Sequence, residues 1–252
     1  MLSEREQERY KRQIMSFGKE GQERLKKAHI FIAGAGGLGS PVALYLAVAG
    51  VGTITIVDMD VVDQPNLNRQ ILHFDRDIGR RKTDSAEEKL QEINPDITVH
   101  AINIKIEAMN AAGLVGKADG IVDAMDNYPT RYLLNDVAIA KEIPLFHGGI
   151  RGFYGQATTI IPGKTPCLKC IFPKAPPAEV FPAVGVTAGF IGMVQANEVL
   201  KYLLGIGELL TGRLFIWDGL QARVEEISVE RNPGCESCGS TGNKMTVAGM
   251  KK

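Results

Sequence analysis

Residues 29–41 read HIFIAGAGGLGSP, and this stretch decides the fold. The apolar run His29–Ala33 predicts a short buried strand that leads directly into a glycine-rich turn. A helix follows, with Ser40 predicted as its N-cap and Pro41 in its first turn. The glycines of the turn are Gly34, Gly36, Gly37 and Gly39. Strand, turn and helix together predict the start of a βαβ unit.

The segments that follow alternate between strand and helix. Strands are predicted at Thr53–Asp58, Thr98–Ile104, Gly120–Ala124 and Pro144–His147. Helices are predicted over 3–26, Val42–Ala49, Lys82–Ile93, Pro129–Lys141 and Ala188–Leu204. After Gly148-Gly149 the pattern changes, and strands are predicted at Gly155–Pro162 and, as a hairpin, at Arg213–Trp217 and Arg223–Val229. We therefore predict an α/β fold, with N-terminal helices and a Rossmann-like, largely parallel sheet continued by antiparallel strands.

The composition and the N-terminal segment disfavour several classes of protein. The 252 residues include 29 Lys+Arg and 29 Asp+Glu, so the formal net charge is zero. A dedicated nucleic-acid binder usually carries a basic excess, so that class is disfavoured. The charged N-terminus MLSEREQERYKRQ has no apolar signal region, and no apolar run is long enough to cross a bilayer. We expect a cytoplasmic protein with reduced thiols and no nucleic-acid or membrane partner.

The chain has four cysteines, and they form two C-x-x-C pairs. The pairs are Cys167 with Cys170 and Cys235 with Cys238. Two such pairs supply the ligand set of a tetrahedral zinc site with four cysteine ligands. Two disulfides or four unrelated thiols are the alternatives, and they are disfavoured because nothing marks the protein as secreted. If all four thiolates bind a metal, no cysteine is left to act as a nucleophile.

The glycine turn has the form of a nucleotide-binding fingerprint. Glycine lets the backbone approach a phosphate, and the N-terminus of the next helix offers free N–H groups. Asp58 ends the following strand, where a carboxylate commonly accepts hydrogen bonds from a ribose. The alternative is that the glycines allow close packing of strand and helix, and that Asp58 caps the strand end. We favour nucleotide binding.

The residues after Asp58 indicate a polyphosphate instead of a dinucleotide. Asp60 is followed by the polar segment that contains Asn66 and Arg69, and a basic cluster comes next. That cluster is Arg80, Arg81 and Lys82. Taken singly, each cation is most simply a solvated surface charge. Taken together near strand ends, they predict a site for a nucleoside triphosphate. Asp126-Asn127, after another strand, would either hold Mg²⁺ or position the leaving pyrophosphate.

These motifs, in this order, resemble the family of ThiF, MoeB and HesA proteins. The matching segments are RYKRQ (9–13), GAGGLGS (34–40), VDMDVV (57–62), NLNRQ (66–70), IGRRK (78–82), DAMDNYPTR (123–131), CLKC (167–170) and NPGCESC (232–238). Members of this family are relatives of ubiquitin-activating enzymes. They adenylate the C-terminus of small ubiquitin-like sulfur carriers, and molybdopterin-synthase adenylyltransferase is the most similar type.

The resemblance implies a role for each matching residue. Asp58 and Asp60 would contact the ATP ribose and its surroundings, and Asn66, Arg69 and Lys82 would hold the phosphates. Asp126 would coordinate Mg²⁺, and Arg131 would orient either the substrate tail or Asp126. Arg12 would reach into the active site of the other subunit, which implies a homodimer. The resemblance places the glycines Gly34, Gly36, Gly37 and Gly39 under the nucleotide and assigns structural zinc to the four cysteines.

The resemblance also organises the rest of the chain. Residues 1–240 are expected to form one adenylyltransferase domain, with 28–150 as its nucleotide-binding half and 151–240 as its zinc- and carrier-binding half. Residues 241–252 are expected to be a disordered tail. Some relatives carry a cysteine in the loop after the first C-x-x-C pair, but the predicted mobile loop 173–186 has none. We therefore expect adenylation with release of pyrophosphate and without a catalytic cysteine, with sulfur delivered by another protein.

Two other functions remain open from the sequence alone. One is an NAD- or FAD-dependent oxidoreductase that uses the same glycine fingerprint. The other is a non-catalytic nucleotide-binding scaffold. The histidines are scattered and are predicted to be packing or surface residues: His29, His73, His100 and His147. The sequence does not identify the carrier, which would belong to molybdopterin or thiamine synthesis or to tRNA thiolation.

Overall fold

The computed structural model describes residues 1–176 and 181–239. The predicted tail 241–252 lies outside the described residues, as does the 177–180 part of the predicted loop. The helices in the described ranges are α1 Glu4–Arg9, α2 Lys11–Lys27, α3 Gly39–Ala49, α4 Lys82–Ile93, α5 Ala111–Val115, α6 Tyr128–Lys141, α7 Leu168–Ile171 and α8 Gly185–Leu204. The strands there are β1 His29–Ala33, β2 Thr53–Asp58, β3 Thr98–Asn103, β4 Gly120–Asp123, β5 Leu145–Arg151, β6 Tyr154–Ile160, β7 Arg213–Asp218 and β8 Arg223–Ser228.

The strands within the described ranges join in one sheet, in the order β3-β2-β1-β4-β5-β6-β7-β8. The first five strands of this order are parallel, and the pairs from β5–β6 to β7–β8 are antiparallel. This arrangement confirms the predicted α/β fold. The strand order reverses between β1 and β4, and the carboxyl ends of these two strands open a crevice. In open α/β sheets, ligands bind at such a switch point.

The core explains why β1 is apolar along its whole length. Ile30 and Ile32 face one side of the sheet, where α3, α4 and α8 pack. Phe31 and Ala33 face the other side, where α5 and α6 pack. All four side chains are fully buried. A parallel strand covered on both faces has no polar position to offer, so the hydrophobic run needs no alternation.

Several predicted ends of strands and helices are off by one or two residues, and three further differences concern α3, β5 and α8. Ser40 is not the N-cap of α3, because the helix already begins at Gly39 and Leu38 occupies the cap position. Strand β5 does not end at His147 but continues through Gly148 to Arg151, because this part pairs with β6. Helix α8 begins three residues before the predicted Ala188. The short helices α5 and α7 were not predicted.

Helix α6 shows how the sequence defines an element that borders the crevice. The Asn127 side chain accepts a hydrogen bond from the Thr130 amide (3.0 Å), and a proline follows in the first turn. The helix ends where Glu142 adopts a left-handed conformation with φ of 57°. Among the residues that the structure describes, no helix is both long and apolar enough to cross a membrane.

Candidate nucleotide site and cysteine cluster

The glycine turn connects β1 to α3, and two of its glycines are required by the fold. Gly34 has φ of 101°, a conformation that favours glycine. A Cβ on Gly34 would lie 2.8 Å from the Ala124 carbonyl oxygen, and one on Gly39 would lie 1.9 Å from the Gly34 carbonyl oxygen. These two glycines therefore let the turn close against itself and against β4.

The other two glycines lie at the crevice and are less tightly enclosed. A Cβ on Gly36 would meet nothing nearer than Gln70 Nε2 at 3.7 Å, and one on Gly37 would approach Ala188 at 3.3 Å and the Arg69 side chain at 3.5 Å. Within the described ranges, the amides of Gly36 and Gly37 have no hydrogen-bond acceptor. Gln70 is buried, and its Oε1 has no partner in the structure. Free donors and an orphaned acceptor are what a bound polar ligand would satisfy.

Asp58, the predicted ribose ligand, stands at the end of β2 beside the turn. Its Oδ2 accepts a hydrogen bond from the Ala35 amide at 2.8 Å, and its Oδ1 accepts one from the Asp60 amide at 2.8 Å. The carboxylate is half-buried and retains lone pairs toward solvent. Asp58 therefore supports the glycine turn, as the alternative interpretation expected, and still has capacity for hydroxyl donors.

The basic cluster after the polar segment separates into different roles. Lys82 is buried at the start of α4, and its Nζ lies 2.8 Å from Asp60 Oδ2. Arg80 instead pairs with Asp77 at 2.7 Å and Glu88 at 2.6 Å, so its charge is already balanced. Arg81 is exposed. Of the three cations, Lys82 is the one that lies at the carboxyl end of β2, because it pairs with Asp60 just after that strand. Asp60 remains half-exposed.

Arg69 lies beside the glycine turn but is not salt-bridged within the described residues. Its Nη1 donates to the Pro65 carbonyl at 2.9 Å and to the Asn68 side chain at 3.1 Å. Asn66 is half-buried in the same short turn and accepts a hydrogen bond from the Asp63 amide. The guanidinium of Arg69 thus keeps an unbalanced positive charge near Gly37. The polar segment brings this charge to the turn, as the sequence predicted.

Asp126 follows β4 on the opposite side of the crevice. Its side chain is exposed, and its one hydrogen-bond partner in the described ranges is the Asn127 side chain at 3.4 Å. The negative charge is therefore uncompensated. An exposed carboxylate at the edge of a polyphosphate site fits Mg²⁺, which usually retains waters and takes one or two protein carboxylates.

A buried polar group beneath Asp126 was missed by sequence reasoning. Asp123 Oδ2 accepts a hydrogen bond from His147 Nδ1 at 2.7 Å, and both side chains are fully buried. Arg131 stands 3.8 Å from the same carboxylate and donates to the carbonyls of Met125 and Gly148. Arg131 thereby fixes the turn that carries Asp126. The strand-end position of Asp123 in DAMD was the signal that was available.

The protonation of this buried pair follows from its surroundings. Burial lowers the pKa of His147 below its ordinary value of 6.5, although the hydrogen bond to Asp123 opposes that shift. The neutral ring donates from Nδ1, and its Nε2 accepts from the Gln156 side chain at 3.3 Å. His147 is therefore a buried, fully bonded histidine, and the prediction of a packing role holds for it.

Arg12 lies far from the glycine turn of its own chain. Its neighbours Tyr10 and Gln13 point inward, and Gln13 donates to the Ala49 carbonyl at the end of α3 at 3.1 Å. The turn is at the other end of α3, about 15 Å away for an 11-residue helix. Arg12 itself is exposed, without a hydrogen bond or ion pair to any described residue. The fold therefore separates it from the other predicted site residues.

The fold brings the four cysteines together, as predicted. Their Sγ atoms all lie within 4.8 Å of one another. Individual separations are 3.9 Å for Cys167–Cys170, 3.6 Å for Cys167–Cys235 and 3.4 Å for Cys170–Cys238. Four sulfurs that bind one zinc at about 2.3 Å stand about 3.8 Å apart. The cluster therefore has the size and the donor chemistry of a zinc site with four thiolate ligands.

The acidity of the thiols is uneven. Burial raises the pKa of Cys167 and of Cys170. Burial also opposes ionisation of Cys235, but hydrogen bonds from the backbone of Cys238 and Ser237 outweigh it and lower the pKa of Cys235 to about 7. Cys235 is therefore more easily ionised than Cys167 and Cys170, and cysteines bind metal as thiolates.

Comparison with known proteins gives a consistent result. The ThiF family matches residues 10–237. The chain is 43% identical over 243 residues to the SAMP-activating enzyme E1 of Haloferax volcanii, covering 93% of this chain and 90% of the relative. It is 42% identical over 247 residues to the sulfur carrier protein adenylyltransferase of Thermus thermophilus, covering 93% and 91%. It also matches about half of the longer adenylyltransferase and sulfurtransferase MOCS3-1 of Zea mays, at 40% identity.

Solved structures share the fold. Escherichia coli MccB aligns with a TM-score of 0.84 and 23% identity over 96% of this chain and 75% of that chain. The same enzyme crystallised with ATP aligns with a TM-score of 0.80 and 26% identity over 92% of this chain and 74% of that chain. The sheet order and its switch point are therefore those of a known nucleotide-binding architecture.

Proposed function

This chain belongs to the ThiF family and is an adenylyltransferase, and from that premise we propose that it activates the C-terminal glycine carboxylate of a ubiquitin-like sulfur carrier with ATP. The relatives named for this activity align over almost their whole length. The finer assignments of substrate end, site residues, metal ions and subunit arrangement are our proposal.

One observation carries this proposal: among the described residues, the crevice between β1 and β4 is bordered by polar groups that lack a hydrogen-bond partner or an opposite charge. The free amides of Gly36 and Gly37, the orphaned Gln70 Oε1 and the unbalanced charges of Arg69 and Asp126 border the same opening. Buried polar groups without partners cost free energy in an empty protein. A nucleoside triphosphate supplies acceptors for the amides, anions for the arginine and a metal for the carboxylate.

The reaction requires two anions to meet. A carboxylate oxygen of the carrier attacks the α-phosphorus of ATP, a new O–P bond forms, and the bond to the bridging oxygen of the β-phosphate breaks. The products are an acyl-adenylate and pyrophosphate. No general base is needed, because the carboxylate is ionised at neutral pH. The task of the protein is to neutralise charge and align the reactants.

The side chains divide this task. Arg69 and Lys82 would contact the phosphates, with Asn66 beside them, and Asp58 would hold the ribose. Asp126 would hold Mg²⁺, which neutralises the triphosphate when it is bound. Asp60 would leave Lys82 free for the phosphates by turning to the metal or to solvent. The cysteine cluster would hold a structural zinc, away from the reacting atoms.

Arg12 would complete the site from a second subunit. In its own chain it is exposed and lies beyond the far end of α3 from the glycine turn. A guanidinium that is exposed in the monomer and needed at a polyphosphate is available to a partner across a two-fold axis. We therefore infer a homodimer in which each Arg12 serves the other subunit's ATP.

A covalent thioester to the carrier is not part of this proposal. The sequence has four cysteines, and all four lie in the one cluster. A thiolate that binds zinc is not free to attack an acyl-adenylate. Sulfur would therefore come from another protein after adenylation.

The test is ATP–pyrophosphate exchange with a panel of purified carriers from molybdopterin, thiamine and tRNA-thiolation pathways. Each carrier is tested with and without its terminal Gly-Gly. We expect exchange with a carrier that ends in Gly-Gly and none after its removal. Arg69→Ala and Asp126→Ala should each reduce exchange at least 100-fold, since one lost electrostatic contact of this kind costs about 10²–10³ in rate.

Lys117→Ala is the matched control, because it removes an exposed cation just before β4, at the opposite end of that strand. It should leave exchange unchanged. Near-normal exchange in the Arg69 and Asp126 variants would refute the site assignment. ATP binding without exchange with any carrier would instead indicate a nucleotide-binding scaffold.

A further inference from the structure

A continuous chain of buried polar groups connects the glycine turn to helix α4. His73 Nε2 lies 2.9 Å from the Ala35 carbonyl oxygen, and His73 Nδ1 lies 2.9 Å from Ser85 Oγ. Lys89 Nζ reaches Ser85 Oγ at 2.8 Å and Asp77 Oδ2 at 2.6 Å. All four side chains are at least 95% buried. The nucleotide site as described above does not use this chain of contacts.

The donors and acceptors assign the protons. A carbonyl oxygen can only accept, so His73 donates from Nε2 to Ala35. Lys89 is an ammonium that can only donate, so Ser85 Oγ donates its own proton to His73 Nδ1, which leaves the ring neutral. Ser85 Oγ in turn accepts from the Lys89 ammonium, whose charge Asp77 balances. Burial, with the nearby charges of Lys82 and Lys89, lowers the pKa of His73, which agrees with the neutral ring.

The contact with Ala35 matters because a peptide group is planar. The Ala35 carbonyl and the Gly36 N–H belong to one peptide unit and point in opposite directions. The other side of Ala35 is fixed as well, since its amide donates to Asp58 Oδ2 at 2.8 Å. When His73 holds the carbonyl, the Gly36 N–H is held facing away from His73. That N–H has no acceptor among the described residues.

We propose that His73 is a positioning residue of the nucleotide site, which holds the Ala35 peptide so that the Gly36 N–H donates to a phosphate of ATP. Ser85 orients the imidazole, and the Lys89–Asp77 pair orients Ser85. Ser85 lies one helical turn after Lys82, so the same contacts join the phosphate-binding lysine to the glycine turn. This inference rests on the proposed binding of ATP.

Two substitutions separate positioning from packing. In His73→Gln, the side-chain amide reaches the place of Nε2 and can still donate to Ala35. In His73→Asn, the shorter amide occupies the place of Nδ1, near Ser85, and leaves Ala35 without a donor. Both variants remove the ring, so a purely structural role would affect them alike. His29→Asn is the control, because His29 bonds to Thr55 at the far end of β1 from the turn.

The measurements are KM for ATP and kcat in pyrophosphate exchange, together with equilibrium binding of ATP. We expect His73→Asn to raise KM and the dissociation constant about tenfold, as for the loss of one hydrogen bond to a charged group. The value of kcat should change less than twofold, because the bond to a phosphate exists before and during reaction. His73→Gln should recover to within about threefold of the wild type, and His29→Asn should match it.

Ser85→Ala is a second variant that retains the ring but frees its orientation. It should raise KM for ATP about threefold, less than His73→Asn does. Equal KM values for the Asn and Gln variants, or an unchanged KM in Ser85→Ala, would overturn the inference while leaving the proposed function intact. If the wild type itself neither binds ATP nor catalyses exchange, the proposed function fails and this inference falls with it.

Discussion

The glycine turn and the cysteine cluster differ in how completely their polar groups are paired. At the turn, the amides of Gly36 and Gly37 are unpaired within the described ranges, and Gln70 Oε1 is a buried acceptor without a donor. Arg69 and Asp126 retain unbalanced charges beside it. This edge of the sheet is incomplete without a ligand, as expected of a binding site.

The cysteine cluster is closed by comparison. Each sulfur lies close to the others, and the flanking backbone bonds to itself, with Cys170 N donating to the Cys167 carbonyl and Gly239 N to the Cys235 carbonyl. Ser237 donates to Asp136 on α6 at 2.6 Å. A metal site with all its ligands from the protein and no open position is structural instead of catalytic.

Helix α6 joins the two regions. Its first turn carries Arg131, which holds the turn of Asp126. The next residue, Tyr132, donates to the Phe172 carbonyl at 2.8 Å, and Asn135, one turn after Arg131, accepts from the Leu168 amide at 2.8 Å. The closed region therefore anchors a helix whose other end borders the open one. The two regions thus lie at different places in the fold but share helix α6.

The largest effect should come from disrupting the cysteine cluster. Cys235→Ser, or removal of metal by a chelator, should cause cooperative unfolding or a large loss of melting temperature. A structural zinc contributes about 10–16 kcal/mol of apparent binding free energy, which is comparable to the whole stability of a domain. Calorimetry with parallel measurement of bound zinc checks this. Asp126→Ala is the control in the open region and should melt like the wild type.

An unchanged melting temperature after chelation would contradict a stabilising role for the cysteine cluster. The same would hold if Cys235→Ser still bound one zinc per chain and melted normally. In either case the cluster would be a group of buried thiols, and the stability of residues 151–239 would have to come from the sheet alone.

The next largest effect concerns the nucleotide site and Arg12, which we propose comes from the second subunit. Arg12→Ala and Asp126→Ala should each reduce exchange at least 100-fold, about 3 kcal/mol of transition-state stabilisation. If Arg12 acts across the dimer, mixed dimers of the two variants contain one intact site. Mixing equal amounts with subunit exchange should then restore about a quarter of the wild-type rate, since about half of the dimers are mixed.

Subunit exchange is checked separately, by giving the two variants different affinity tags and recovering dimers that carry both tags. If Arg12 acted within its own chain, no combination of the two variants would form an intact site. If the exchange rate does not recover although subunit exchange is demonstrated, the role of Arg12 in trans is rejected. Either variant alone should remain inactive.

Most of the fold was predictable because its signals are local. The apolar run of β1, the glycine turn and the β-branched run of β2 each specify one element, and β1, β2 and α4 have the predicted ends. The cysteine cluster was predictable too, because the C-x-x-C spacing typical of metal ligands is visible in the sequence. Strand β5 was cut short in the prediction, because Gly148-Gly149 was taken as a break, whereas these glycines lie inside a hairpin in which β5 pairs with β6.

The candidate site was less predictable than the fold. The role of each cation depends on its partner in the fold. Arg80 and Lys82 are two residues apart, yet Arg80 pairs with Asp77 and Glu88, whereas Lys82 pairs with Asp60 just after β2. His73 was predicted to be a packing or surface residue, since a single histidine gives no signal of its contacts. Its bonds to Ala35 and Ser85 join residues that are 38 and 12 positions away.

A smaller effect should separate the glycines within the turn. Gly39→Ala forces a Cβ to within 1.9 Å of the Gly34 carbonyl oxygen, so the turn must shift. We expect a loss of about 1–3 kcal/mol in the free energy of unfolding, as for other overpacked positions. Gly36→Ala meets only Gln70 at 3.7 Å and should fold normally. Its Cβ projects into the crevice, so it should instead weaken ATP binding.

Urea denaturation and ATP binding of both variants check this contrast. Gly189→Ala is the control in a helix, because a Cβ there meets nothing within 4 Å. Equal stability of Gly36→Ala and Gly39→Ala, or unimpaired ATP binding by Gly36→Ala, would show that the two kinds of glycine do not have separate roles.

The smallest effect concerns Asp77, whose titration should lower the free energy of unfolding at acid pH. Burial would raise the pKa of Asp77, but hydrogen bonds from Lys89 and the Phe74 backbone outweigh it and lower that pKa from 3.8 to about 2. The folded state therefore favours the ionised carboxylate. Its contribution to stability is complete above about pH 4 and is lost as the pH falls towards 2. One proton limits this contribution to a slope of about 1.4 kcal/mol per pH unit.

Urea titrations of the wild type and of Asp77→Asn from pH 5 to pH 2 isolate this slope. Both proteins carry the same cysteines, so any effect of acid on the cluster is common to them, and the difference between them reports Asp77. The stability gap should narrow as the pH falls from about 4 towards 2, because the wild type loses the ion pair to Lys89 that the variant never has. A constant gap over that range would mean that the carboxylate titrates normally. The buried pair would then not be what holds Ser85 and α4 beneath the glycine turn.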